Sequence, residues 1–382
     1  MRTYTFVRFG AIWALLTLSL ATGCESYSVV NETIGGYSQE AKDNGEGLHP
    51  RLAGIVELCA DSVYSLSSVL QLEITDNLYF VRDENGLFSF DKTGKPVRKY
   101  GNRGKGRGEY VNLSCFYLSE EGNVCIVDDY KQSVIEFSAD GRFLSERKSD
   151  DPIFSYVGRV ASIPKEKALF CSFMINPAND DFYAKVGQTF QKNAVCKSDF
   201  SSDHTSEMYG HHPFSIYDGK IKYVKPYDNS IYTYGQDSKM SIEIPENMVM
   251  SLSEGEKKDY TYLHLLNDAV KDRFVGFTDI FETDKVIMLG VSNYDYVIID
   301  KKKGECTHYR YSIPDIVTAL PLVNIMASGK NALYGVLTPY KVNVDDETII
   351  RNEDFGRIAE AIEHVKKTDH PAILIYDMSH EK

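Results

Sequence analysis

Residues 77–100 and 123–147 are two copies of one pattern. NLYFVRDENGLFSFDKTGKPVRKY and NVCIVDDYKQSVIEFSADGRFLSER each run through an apolar stretch, an acidic turn, a second apolar stretch ending in Phe, a glycine turn and a short third strand. The two turn glycines, Gly94 and Gly141, stand 47 residues apart. A unit of this size with three or four strand signals cannot bury both of its faces alone. It needs copies of itself on either side, and a period in this range predicts the blades of a β-propeller.

Aligning units on the second strand of each gives Leu78–Arg82, Val124–Asp128, Ala168–Phe173, Ile221–Lys225, Val286–Gly290 and Ala332–Leu337. Third strands are expected at Leu87–Phe90, Val134–Phe137, Lys192–Cys196, Ser230–Tyr234, Tyr296–Ile299 and Ala372–Tyr376. That makes six blades. The apolar run Ile55–Cys59 has no local partner, and pairing it with the C-terminal strand closes the ring and removes an open sheet edge. Two segments break the strand rhythm. Ser253-Glu254-Gly255-Glu256 is a capping box followed by Tyr260, Leu263, Val270 and Phe274 at helical spacing, and Phe355, Ile358, Ile362 and Val365 repeat that spacing. The fold class is therefore all-β, a six-bladed β-propeller over residues 51–382 with two short helical insertions that pack against the rim.

Residues 1–23 stand apart from this body. Arg2 and Arg8 form a basic flank, Phe9–Leu20 an apolar core too short for a permanent membrane span, and Leu20-Ala21-Thr22-Gly23 leads into Cys24. Small residues directly before a cysteine are similar to the bacterial lipobox, so Cys24 is the expected lipid attachment site and the protein is expected in the cell envelope, on the outer membrane. The stretch 24–50 is rich in Gly, Ser, Asn and Glu without periodicity and reads as a flexible tether with a reach of roughly 28 Å. Loss of 1–23 removes two arginines and no acid, taking the net charge from −13 to −15. An acidic surface excludes nucleic acid as the main partner and favours a soluble monomer. Beyond Cys24 the cysteines are scattered, and Cys115, Cys125 and Cys171 lie inside apolar runs, which predicts buried free thiols.

In a propeller, the turns between second and third strands share one face with the connections between blades. Here these include Asp83-Glu84-Asn85, Asp128-Asp129-Tyr130-Lys131, Pro226-Tyr227-Asp228 and Asn293-Tyr294-Asp295. Recurrence in register points first to turn chemistry, because Asp and Asn bond their own backbone. A polar, aromatic-rimmed pocket for a sugar or peptide is the functional alternative. The least ordinary segment is Gly101-Asn102-Arg103-Gly104-Lys105-Gly106-Arg107-Gly108-Glu109-Tyr110. It matches neither phosphate-loop register, and its glycines suit a tight connection between two blades. The candidate ligand or partner face is Arg103, Lys105, Arg107, Asp129, Tyr130, Tyr227, Asp228 and Tyr294. His204, His211 and His212 match no zinc spacing. No nucleophile–base arrangement can be read, and no catalytic residue, metal ligand or cofactor is assigned.

Lys99–Tyr110, preceded by Phe90-Asp91-Lys92-Thr93-Gly94-Lys95, resembles the six-bladed β-propeller lipoproteins of Bacteroidota, distant relatives of NHL-repeat propellers. Tyr217–Ile221 with Asp228–Tyr232 is similar to that family's fourth blade, and His370–Leu374 to its closing strand. The resemblance implies an envelope protein, associated with glycan or nutrient uptake. A binding or interaction propeller with an envelope protein or glycan partner is the expected function. The alternative is a propeller hydrolase or lyase with a channel calcium site, resting on fold analogy.

Overall fold

The computed structural model describes residues 32–35, 51–59, 64–173, 181–197, 212–225, 228–249, 274, 276–291, 296–309, 324–338 and 355–377. Two strands, β1 (Glu32–Ile34) and β2 (Arg51–Glu57), precede the first blade. Blade one is β3 (Val69–Ile74), β4 (Leu78–Asp83), β5 (Gly86–Asp91) and β6 (Pro96–Tyr100). Blade two is β7 (Leu113–Leu118), β8 (Val124–Asp128), β9 (Ser133–Phe137) and β10 (Phe143–Lys148). Blade three is β11 (Val157–Ile163), β12 (Ala168–Phe173), β13 (Asp181–Gly187) and β14 (Lys192–Lys197). Blade four is β15 (Phe214–Tyr217), β16 (Lys220–Val224), β17 (Ser230–Thr233) and β18 (Lys239–Ile242). Blade five is β19 (Phe277–Glu282), β20 (Val286–Val291), β21 (Tyr296–Asp300) and β22 (Glu305–Tyr309). Blade six takes β23 (Asn324–Ser328), β24 (Ala332–Leu337) and β25 (Ala372–Asp377) from the C-terminal region and its outer strand, β2, from near the start.

The apolar residues explain why the six sheets form a ring. Each apolar cluster draws side chains from two neighbouring blades, as with Phe80 and Leu87 of blade one against Phe116 and Ile126 of blade two. Equivalent clusters fill the gaps two–three, three–four, four–five and five–six. The sixth joins Leu72 and Phe88 of blade one to Met326, Val336 and Ile373 of blade six, closing the circle. The closing strand pairs antiparallel from Arg51 opposite Asp377 to Glu57 opposite Ala372. It begins four residues earlier than the apolar run suggested, and Cys59 lies beyond it, its N–H donating to Gly94 O at 2.9 Å.

That last bond explains the periodic glycines. Gly94 has φ +84°, and a Cβ there would stand 1.9 Å from the Glu57 carbonyl oxygen at the end of the closing strand. Gly141, its counterpart one blade on, has φ +82°, and a Cβ would fall 2.8 Å from Arg98 of blade one. Both glycines are places where the outer strand of one blade meets the third-to-fourth strand turn of the next.

Two expectations need correction. In blade three the third strand is Asp181–Gly187, not Lys192–Cys196; the latter lies within β14, the outer strand. The burial explains the exchange: Phe182, Tyr183, Ala184 and Val186 are buried, whereas β14 carries only half-buried and exposed residues. The stretch expected to be a tether contributes a strand: β1 runs parallel to β18 as a fifth strand of blade four, with Ile34 4% exposed. The remainder of 24–50 lies outside the described residues, as does the helix expected after Ser253. The second helix is present as α1 (Phe355–Thr368), between β24 and β25. Its Ala361, Ile362 and Val365 are buried in the cluster between blades five and six, so it packs on the ring.

Candidate binding face

The two faces of the ring differ in their connections. On one, first-to-second and third-to-fourth strand turns are short, such as 75–77, 92–95, 218–219, 283–285 and 301–304. The other carries the second-to-third turns and the blade-to-blade connections, among them 101–112, 149–156 and the segment containing α1. Of the candidate residues read from the sequence, this loop face holds Arg103, Lys105, Arg107, Asp129, Tyr130 and Asp228; Tyr227 and Tyr294 lie outside the described residues.

Asp83 and Asp128, at the ends of β4 and β8, behave as turn anchors. Asp83 Oδ2 accepts the Ser67 and Ser68 N–H at 2.8 and 2.6 Å, and Oδ1 the Asn85 N–H at 2.8 Å. Asp128 Oδ2 accepts the Val111 N–H at 2.6 Å, and Oδ1 those of Tyr130 and Lys131 at 3.0 and 2.8 Å. Each carboxylate ties a hairpin turn to the connection entering its own blade. Asp129 takes the Asn112 amide at 2.7 Å. Asp228 accepts the Tyr232 hydroxyl at 2.6 Å, and burial together with this bond raises the Tyr232 pKa. Its Oδ1 is buried without a partner.

The glycine loop is a cradle that the chain fills itself. The Glu109 carboxylate folds back so that Oε2 accepts the Gly106 N–H at 2.8 Å, and a Cβ on Gly104 would lie 2.0 Å from that oxygen. Gly104 N–H donates to Tyr110 O at 2.9 Å and Tyr110 N–H to Asn102 O at 3.0 Å, closing the loop. Lys131 locks it from beneath: Nζ donates to Glu109 O at 2.9 Å and Gly106 O at 3.3 Å and pairs with Glu146. Gly104 and Gly106 are thus explained by an internal anion, Gly101 and Gly108 by positive φ against the rings of Phe137 and Phe143, and the three cations remain on the outside. Arg103, Lys105 and Arg107 are all exposed. Arg103 Nη2 donates to the Glu84 carbonyl at 3.0 Å, and Arg107 lies 5.2 Å over the Phe143 ring. Pairing of this trio with Asp128-Asp129 is not what the structure holds, because those carboxylates are taken by the donors above.

Gln132 joins the neighbouring turn to the connection between blades two and three. Its φ is +52°, its Oε1 accepts the Phe154 N–H at 2.8 Å, and its O accepts the Ser149 N–H at 2.8 Å. Two aromatic rings stand out on these pieces: Tyr130, 70% exposed, and Tyr156, 51% exposed with φ +60°. A left-handed φ is unfavourable for a tyrosine, so the surrounding bonds must hold it there. Arg103, Lys105, Arg107, Tyr130 and Tyr156 are thus exposed side chains on the loop face of blades one to three, with Glu84, Asp150 and Asp151 exposed on the same turns and connections.

The ring's centre holds residues that sequence reasoning missed. In five blades the innermost strand has a bulge near its start, followed by Gln71, Cys115, Arg159, Asp279 or Ala327. Arg159 of blade three reaches past blade two to pair with Glu73 of blade one, Nη2 to Oε1 at 2.9 Å, and its guanidinium lies 5.0 Å over Phe214 of blade four. Gln71 caps the free edge of β7, donating to Phe116 O at 2.8 Å and accepting its N–H at 3.1 Å. Burial lowers the Arg159 pKa while Glu73 opposes the shift. Burial likewise pushes the Cys115 thiol up to about 12 despite Arg82 and Arg159 nearby. The available signal was a polar residue at this offset in three of the inner strands, Gln71, Arg159 and Asp279. His212, the described member of the histidine group, is 4% exposed, with Nδ1 2.8 Å from Ile280 O. It is a core residue between blades four and five. Among the described residues, no group of three His, Cys, Asp or Glu side chains is placed to hold a metal ion.

Two solved structures share this architecture at low sequence identity. A Bacteroides fragilis protein described as exported aligns with TM-score 0.63 at 16% identity, over 91% of this chain and 99% of its own. A member of the DUF4221 family from Bacteroides vulgatus aligns with TM-score 0.55 at 10% identity, over 86% of this chain and 98% of its own. At such identities the likeness establishes the fold alone. No curated protein matches the sequence. A family model described as a domain of unknown function, DUF4934, matches residues 64–377, from the first blade to the last strand of the ring, and the chain belongs to that family.

Proposed function

We propose that this protein is an exported, lipid-anchored binding propeller whose loop face over blades one to three takes an anionic glycan for uptake at the cell envelope. The observation that carries the reading is the pairing of two exposed tyrosines with three exposed cations on a fixed frame. Flat phenol rings suit the apolar faces of sugars, and Arg and Lys suit carboxylate or sulfate groups. Binding to such a face needs little ordering of the protein, which favours affinity. The leader, the Cys24 lipobox and the likeness to an exported Bacteroides protein support the location.

The test is titration with an acidic polysaccharide and its neutral counterpart. Changing Arg103, Lys105 and Arg107 together to Gln should abolish preference for the acidic chain while stability stays within about 0.5 kcal/mol. Tyr130→Ala and Tyr156→Ala should weaken binding to both. Binding of an acidic envelope protein but of no glycan would move the reading to protein interaction; unchanged binding in every variant would remove this face from consideration. Anchoring is tested separately: Cys24→Ser should release soluble protein or leave an uncleaved precursor. The hydrolase or lyase reading has less to support it, because the guanidinium of Arg159 occupies the centre where a channel metal would need converging oxygen ligands.

A further inference from the structure

The placement of β1 fixes where an anchored chain leaves the ring. Glu32 lies opposite Met240, beside the short turn 234–238, and Ile34 opposite Ile242. Ile34 O accepts the Glu243 N–H at 2.8 Å, and Gly35 O lies 3.3 Å from the Cys306 sulfur of blade five. Residues 25–31 are all that separates Cys24 from this strand, and seven residues span at most about 25 Å. In a ring of six, blade four stands opposite blade one.

A second observation lies beside the attachment point. The short turns of blades four and five present Lys220, Lys285, Lys302 and Lys303, all exposed, on a chain of net charge −13. Turn 301–304 is held in shape by Asp300, whose Oδ1 accepts the Lys302 and Lys303 N–H at 2.8 and 3.1 Å. The exposed acids on and beside these turns are Asp218, Asp237, Asp284 and Glu305, of which Asp284 accepts the Tyr217 hydroxyl; Lys302 and Lys303 stand together on turn 301–304, which carries no acid.

From these two observations we infer that the rim of blades four and five is a membrane-apposed surface. Its lysine-bearing turns rest on anionic phospholipid headgroups, and the basic and aromatic face of blades one and two is held away from the bilayer. The inference rests on the acylation of Cys24 proposed above. Each lysine at an anionic surface changes attraction by about fivefold, and the effect fades beyond a Debye length of about 8 Å, so the turns must lie close to the headgroups to contribute.

The test uses the full chain, recovered from envelopes and placed on vesicles of three parts phosphatidylcholine to one part phosphatidylglycerol. With Cys59→Ser as background, a fluorophore is attached at Gln236→Cys on blade four or at Glu84→Cys on blade one, and quenching by a headgroup-linked quencher is read. The blade-four label should be quenched and the blade-one label should not. Lys302→Gln with Lys303→Gln, or 0.5 M salt, should reduce the blade-four quenching. A mass for the N-terminal peptide without acyl groups would overturn the anchoring reading itself. An acylated protein with equal quenching at both labels, or with quenching indifferent to the lysines and to salt, would overturn this inference alone.

Discussion

Removing the Glu73 carboxylate should expose how much the ring depends on its central ion pair. Arg159 has a side-chain exposure of 7% and Glu73 one of 25%, so the two partners are not equivalent. In Glu73→Gln the guanidinium stays buried without a counter-charge, a change that costs about 3–5 kcal/mol when the site is fully dry. Partial water access through the Glu73 side lowers the expectation to about 2–3 kcal/mol. In Arg159→Met the carboxylate left behind can rehydrate, and the thioether keeps part of the contact with Phe214. That change should cost about 1–2 kcal/mol. The double variant should cost no more than Glu73→Gln alone, since an apolar replacement leaves no stranded charge. The assay is urea unfolding followed by far-UV circular dichroism, because the single tryptophan, Trp13, lies ahead of the ring in sequence. Thermal midpoints are less sensitive: with about 2.1 cal/mol/K of unfolding entropy per residue, a body of this size moves only about 1.4 °C per kcal/mol. Additive single effects, or Arg159→Met proving the more damaging, would refute the reasoning that the asymmetry of burial sets the asymmetry of cost.

Three further outcomes follow from the ring. Gly94→Ala should destabilise by more than Gly122→Ala in the same urea assay, since both have positive φ (+84° and +78°) but only the former meets the closing strand; the strain common to both is about 1–2 kcal/mol, and equal effects would deny the contact. A thiol reagent at pH 8 should modify Cys59, which is exposed, and leave Cys115, Cys125, Cys171 and Cys306 unmodified until denaturant is added. Raising the pH to 9 should not unmask them, because burial holds Cys115 and Cys125 up at about 12 and Cys306 at about 11, so the thiolate stays scarce; mass spectrometry of the alkylated peptides decides it. Deleting 25–48 should remove about 2–3 kcal/mol through loss of buried Ile34, whereas deleting through Cys59 takes away the fourth strand of blade six and should give aggregated protein.

The legible and illegible parts of the sequence divide along physical lines. Blades one and two could be read because continuous apolar runs and a glycine turn are local signals, and Gly94 and Gly141 each mark a place where one blade's outer strand meets the next blade's turn. Blade three misled because Asp181–Gly187 carries Asp, Ala and Lys between its apolar residues while the outer strand reads comparably apolar. β1 is three residues long, and nothing in Glu32-Thr33-Ile34 announces a partner more than two hundred residues away. The glycine loop could be singled out by composition, but that Glu109 fills it required the fold. The ion pair at the centre joins positions 86 residues apart and exists only because ring geometry brings blades one and three together.

Sharing blade six between the two ends of the chain gives the protein a late commitment step. Arg51 stands early in the ring's sequence, and its partner Asp377 comes 326 residues later. Until β25 is made, β2 is an unpaired strand and blade one lacks its neighbour, so the ring cannot lock before that strand is available. Non-local pairing of this kind folds slowly. A product truncated before β25 has no clasp and keeps an open sheet edge.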